Sequence, residues 1–324
     1  MGLLKRSGRP RGERFRVLFV TDLHASEVTF RKVLNAVGVY EADSLIVGGD
    51  LTGKQIVPLV EAGGGWSCDL SGTQVSAGEA DVGELEAAIR NLGQYPVRMG
   101  RDRFDELTGD PVALGEVFED ACLAQVADWM SRLGDRLGGR TPVFVTGGND
   151  DYLSIEPVID RADWVVNAEG RVVELLPGVA MASTGYGNIT PWGCPRDESE
   201  EALGARIEAM VGDLGDARRA VFNFHVPPFG SGLDRCMRLD LTVAPPRPIV
   251  GEETDAGSTA VREAVERHQP ALSLHGHIHE SRGVRRIGAT QCVNPGSEYS
   301  EGVLNAAIVD FRGGELASVQ LVAA

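Results

Sequence analysis

Five of the six histidines in this 324-residue chain stand at the tips of short apolar runs, where four aspartates and an asparagine also stand. Arg16 to Thr21 is followed by Asp22-Leu23-His24, and Ser44 to Val47 by Gly48-Gly49-Asp50. Val143 to Thr146 leads into Gly147-Gly148-Asn149-Asp150-Asp151, and Ala220 to Phe224 into His225 with Val226-Pro227-Pro228. Ala271 to Leu274 ends in His275-Gly276-His277-Ile278-His279. On extended backbone, residues two apart point to one side, so Asp22 and His24 can reach one ion. The glycines before Asp50 permit a tight turn, and the prolines after His225 bar helix continuation. Singly, each tip reads as a cap or a turn. Five tips bearing Asp, Asn or His together form a pattern that core packing has no reason to produce.

Imidazole, carboxylate and amide oxygen without thiolate suit Mn, Fe, Zn or Ni rather than a structural zinc. The candidate ligands are Asp22, His24, Asp50, Asn149, His225, His277 and His279. They are too many for one ion of about four to six ligands, so two divalent metals sharing a carboxylate fit better.

The elements that must position these residues are short β-branched strands alternating with helical stretches. That alternation predicts an α/β fold, or a layered relative, with a partly parallel sheet covered on both faces. Open α/β sheets place ligands beyond the carboxyl ends of their strands, which is where these tips would converge. The interval from Asp50 to Asn149 is far longer than one crossover needs. Its first part, LVEAGGGWSCDLSGTQVSAG, reads as a hairpin excursion. Asp81 to Leu137 reads as two or more helices, with Glu84, Leu85, Ala88 and Ile89 as an amphipathic stripe. One domain over residues 1–324 is expected, with a hairpin-plus-helical insertion at about 54–140 that is either a lid or a remote elaboration. GVLNAAIVDF and LASVQLVA, parted by Arg312-Gly313-Gly314, predict a closing antiparallel hairpin.

A net charge of −16 argues against a broad nucleic-acid surface, because phosphate backbones are held by clustered Lys and Arg. It leaves room for a small phosphorylated substrate, since two cations can reverse the potential inside one pocket. No apolar run approaches the roughly 18 residues that a membrane span needs. MGLLKRSGRPRGERF has too short an apolar stretch for a signal peptide and reads as a disordered arm, so cytoplasmic residence is expected. Five cysteines, widely spaced and without a C-x-x-C pair, read as reduced thiols.

The motif order resembles that of the calcineurin-like metallophosphoesterase superfamily: D-x-H, G-D, G-N-H-[DE], H and G-H-x-H. Here it runs Asp22-Leu23-His24, Gly49-Asp50, Gly148-Asn149-Asp150-Asp151, His225 and Gly276-His277-Ile278-His279, with Asn294-Pro295-Gly296-Ser297 after it. The resemblance implies a double β-sheet sandwich flanked by helices. It implies that Asp22, His24 and His279 hold a first metal, that Asn149, His225 and His277 hold a second, and that Asp50 bridges them. Such a pair would lower the pKa of a water for in-line attack on phosphorus and neutralise the phosphoryl oxygens, without a covalent intermediate. The expected activity is hydrolysis of a small phosphodiester or phosphomonoester; a nuclease, or a metal-binding interaction scaffold with little turnover, are the alternatives.

One position departs from the motif. Asp150 stands where the family has a histidine, and an ionised aspartate is a poor proton donor. Either Asp150 orients a substrate group or ligand, or His275 supplies the proton, or the leaving group needs none; a plain helix cap is the bland reading of Asp150, and strand-end packing that of His275. His268 reads as a surface residue complementing a helix dipole. Tyr186 and Trp192 in GYGNITPWGCP, and Arg235, are further pocket candidates, with loop packing and a surface salt bridge as their ordinary readings.

Overall fold

The computed structural model describes residues 14–212 and 214–324; of the arm read over residues 1–15, the first thirteen lie outside the described residues and Arg14 and Phe15 open the first strand. Two six-stranded mixed sheets carry the fold. In the first, the spatial order is Glu315–Ala323, Asn305–Arg312, Arg14–Val20, Ser44–Val47, Val143–Val145 and Val165–Asn167. The last four strands run parallel, and the terminal hairpin pairs antiparallel against Arg14–Val20. In the second, the order is Gly283–Ile287, Thr290–Asn294, Leu272–Leu274, Val221–Phe224, Val179–Thr184 and Arg171–Leu176. Its four inner strands are parallel and its two edges antiparallel.

The strand alternation sorts the core into layers. Along Arg14–Val20, Val17 and Phe19 point between the sheets, where they meet Met181, Val221, Leu272 and Val293 of the second sheet. Leu18 and Val20 point the other way, onto Phe30 and Val33 of helix Glu27–Val39 and onto Trp129 and Leu133 of helix Pro111–Leu137. Helices Glu200–Val211 and Thr259–His268 cover the far face of the second sheet through Phe222 and Phe224. The architecture is therefore helix, sheet, sheet, helix. Parallel strands buried on both faces explain why the five runs read as nearly unbroken apolar segments.

The stretch after Asp50 is more strand-rich than its sequence suggests. Ile56–Ala62, Gly65–Leu70, Thr73–Gly78 and Tyr95–Met99 form a separate four-stranded sheet, with a small core of Val57, Leu59, Cys68, Val82 and Ile89. Tyr95–Met99 falls inside the segment read as helical. Its Pro96 removes one backbone donor, which an edge strand tolerates, and the run is too short to show a period. Helix Pro111–Leu137 starts where Asp110 accepts the N–H groups of Val112 and Ala113 and Pro111 takes the first turn. It then returns to the main core, with Trp129 stacked on Phe30 at 4.2 Å. Among the described residues no helix is long and apolar enough to cross a membrane.

Candidate metal centre

Because the central strands of both sheets are parallel, their carboxyl ends lie at one edge of the sandwich, and the five ligand-bearing loops meet there. Asp22, His24, Asp50 and His279 place one ligand atom each within 4.8 Å of one another. His24 Nε2 lies 3.1 Å from His279 Nε2 and 3.5 Å from Asp50 Oδ2, and His279 Nε2 is 3.3 Å from Asp22 Oδ1. Beside this set, His225 Nε2 is 3.4 Å from Asp50 Oδ1, and His277 Nδ1 is 2.8 Å from Asn149 Oδ1. The Asp50 carboxylate thus gives one oxygen to each group.

The surrounding backbone fixes which ring atoms face inward. His24 Nδ1 meets the carbonyl of Thr52 at 3.1 Å, and His225 Nδ1 meets that of Gly48 at 3.0 Å. A carbonyl can only accept, so each Nδ1 carries the proton and each Nε2 keeps its lone pair for an ion. His225 Nε2 is buried with no hydrogen-bond partner, as expected of a ligand atom. Asn149 donates Nδ2 to Asp197 Oδ1 at 3.1 Å, which turns its carbonyl oxygen toward His277. These donor atoms fit a pair of divalent cations.

Close approach costs backbone strain. Asp22, His24, Asp50 and His277 all have positive φ, between 41° and 66°, a region sparsely used by side-chain-bearing residues. A Cβ on Gly148 would strike the Asp50 carboxylate, and one on Gly276 that of Asp22. The charge balance is equally specific. Burial opposes ionisation of Asp22, but its hydrogen bond to His279 and the nearby His225 and His24 hold its pKa well below the usual carboxylate range.

No protein-family model matches the chain. It is 27% identical over 212 residues to the uncharacterized protein MJ1162 of Methanocaldococcus jannaschii, an alignment covering 63% of this chain and 83% of that protein. One solved crystal structure superposes with a TM-score of 0.58 at 17% identity, covering 96% of this chain and 99% of the other. TT1561 of Thermus thermophilus superposes at 0.53 with 15% identity, covering 95% and 99%. These overlays span the whole sandwich, with the motif loops gathered at one edge of it. The chain shares the fold of these two structures.

At the motif's point of departure, Asp150 is ionised. Burial raises its pKa, but Lys54 and the Cys194 thiol outweigh burial and bring it to about 2. Lys54 Nζ is 3.0 Å from Oδ2, and Cys194 Sγ donates to Oδ1 at 2.8 Å. His275 stands behind the ligands. It is fully buried, its Nδ1 donates to the carbonyls of Phe224 (2.8 Å) and Val226 (3.2 Å), and burial lowers its pKa to about 4. His268 pairs with Glu208 at 3.1 Å and Arg235 with Glu253 at 3.1 Å. Tyr186 packs under the Arg206 guanidinium, and Trp192 is 58% exposed.

Three residues support the site in ways the sequence reading did not assign, Asp151 having been quoted only as part of the motif. Asp151 is buried and ties the second and third loops together: its carboxylate accepts from Leu51 N, Thr52 N, Thr52 Oγ1 and Gly148 N. Arg196, fully buried, donates to the carbonyls of Asp151 and Tyr152 and pairs with Glu156 at 2.6 Å and Glu169 at 3.7 Å. Lys54 is the third. The motif reading attends to loop tips, and these three act from the flanks.

Two carboxylates on one buried guanidinium leave one surplus charge. Glu169 carries it least well: burial outweighs Arg196 and the donors Gly185 N and Thr184 Oγ1, Glu156 adds its own negative charge, and the pKa rises from 4.5 to about 7. The folded chain then keeps a proton that the unfolded chain has released, so stability falls as pH rises through that window. Comparing melting temperatures of wild type and Glu169→Gln from pH 4 to pH 8, across the window of about 4.5–7, checks this. The expected result is a wild-type advantage at the acid end that shrinks toward neutral pH; parallel curves would refute it.

Proposed function

We propose that the chain is a dinuclear, metal-dependent hydrolase of small phosphate esters. The single observation that carries this reading is the Asp50 carboxylate, which turns one oxygen to His24 and the other to His225. Asp22, His24 and His279 would hold one divalent ion, and Asn149, His225 and His277 the other, with Asp50 shared. Such ions supply a water activated near neutral pH and neutralise charge on the phosphoryl oxygens. The chain's own part is to fix the ligands: Thr52 and Gly48 set the imidazole tautomers, Asp197 turns Asn149, and Asp151 locks two of the loops. With Asp150 ionised, no carboxylic acid stands at that position to protonate a leaving oxygen, which favours substrates whose leaving group departs unassisted, such as aryl esters.

The test uses protein stripped with a chelator and refilled with Mn. Hydrolysis of bis(p-nitrophenyl) phosphate and of p-nitrophenyl phosphate is expected to depend on refilling, and chelation should remove at least about 10³-fold of it. In Asp150→His, monoester hydrolysis is expected to appear or rise. No turnover of either ester with two metals bound per chain would replace this reading with a metal-binding scaffold.

A further inference from the structure

Lys54 has no place among the seven ligands, yet it is attached to them. Asp150, its ion-pair partner at 3.0 Å, donates its backbone N–H to Asp50 Oδ1 at 3.1 Å. The other carboxylate oxygen of Asp150 is occupied by the Cys194 thiol at 2.8 Å. Asp150 is therefore an acceptor with both oxygens engaged, held at a fixed distance from the shared carboxylate. Its chemistry is to place the ammonium.

The position of that ammonium is informative. Its charge acts on His24 and His279, which belong to the first ligand group, and on Asp50 and Tyr299. The Lys54 side chain is 52% exposed, whereas Asp22, His24, Asp50, Asn149 and His225 are buried, so its ammonium is open to a solute while attached through Asp150 to the buried cluster. Among the described residues Asp150 is its one ion-pair partner, and an ammonium has three donors, leaving donors for an anion. An ordinary surface salt bridge pairs two mobile side chains and contributes little. Here one partner is tied by a thiol and by its own backbone, which pre-organises the charge.

We propose that Lys54 grips a non-bridging oxygen of the substrate's phosphoryl group, with Asp150 as its positioning residue, so that a lysine and aspartate pair stands where the family motif has one histidine. The inference rests on the phosphoesterase reading. Lysine suits the task as a compact point charge that accepts phosphate from several directions.

The experiment uses full-length protein refilled with two equivalents of Mn, as wild type, Lys54→Gln, Lys54→Arg, Asp150→Ala and the Lys54→Gln/Asp150→Ala double variant. Two readouts are taken: affinity for inorganic phosphate by calorimetry, and kcat/KM for bis(p-nitrophenyl) phosphate. Lys54→Gln is expected to keep two metals, to weaken phosphate binding by about tenfold or more, and to lower kcat/KM by about 10²-fold. Lys54→Arg should recover most of the phosphate affinity. Asp150→Ala should lose less than Lys54→Gln and add nothing to it in the double variant, because it acts through Lys54. Phosphate affinity in Lys54→Gln within twofold of wild type overturns the proposal, as does loss of a metal in Asp150→Ala or independent losses in the double variant. If wild type binds phosphate but hydrolyses neither ester, the phosphoesterase reading fails by itself; a Lys54-dependent phosphate affinity then still upholds the grip, and an independent one overturns it.

Discussion

Asp50→Asn is expected to lower hydrolysis of either aryl ester by at least about 10³-fold and to reduce bound metal from two ions to no more than one. The carboxylate faces His24 Nε2 at 3.5 Å with one oxygen and His225 Nε2 at 3.4 Å with the other. An amide of the same size can turn its single oxygen to only one of these groups. The other then meets an N–H₂, which donates where an ion must be accepted and carries no charge to offset it. Asp150→Ala leaves all seven ligands in place, so its loss should be smaller. Metal content by mass spectrometry, measured beside kcat/KM, separates the two causes. Near-normal activity in Asp50→Asn would overturn the shared-ligand assignment altogether.

Asp151→Ala should be the most destabilising single change at this edge of the fold, by about 3–5 kcal/mol. Its carboxylate accepts at 2.6–3.0 Å from Leu51 N, Thr52 N, Thr52 Oγ1 and Gly148 N, all in buried surroundings. Alanine leaves those donors facing a cavity lined by polar groups. The same bonds set the relative positions of Asp50 and Asn149, so metal affinity should fall together with stability. Urea unfolding of metal-stripped protein isolates the first effect. A loss below about 1 kcal/mol would mean that water takes over the role of the carboxylate.

How much of this was legible beforehand follows from distance along the chain. The strands and the ligands just beyond them could be read because both signals are local: an apolar run specifies a buried strand, and the next residue is delivered at its tip. Parallel pairing then gathers all tips at one edge, which is why His225 and His279 could be named together without knowing the sheet order. Of the four-stranded sheet after Asp50 the hairpin part is legible in the sequence, whereas Tyr95–Met99 reads as helix because a five-residue strand is too short to show its period.

The sequence by itself determined the layered α/β class and which side chains stand at the strand tips, since hydrophobic period and residue order decide both. Only the tertiary structure decided which atoms meet. Lys54 and Asp150 lie 3.0 Å apart although about a hundred residues separate them, and Asp151 joins loops at the same remove. His24 and His279 come from opposite ends of the chain and share one cluster. Such contacts are products of chain closure rather than of any local pattern. The same closure brought Asp150, in sequence a departure from the motif that reads as an orienting residue or a helix cap, against Lys54 and Cys194, and buried His275 behind the candidate ligands it stands beside in sequence.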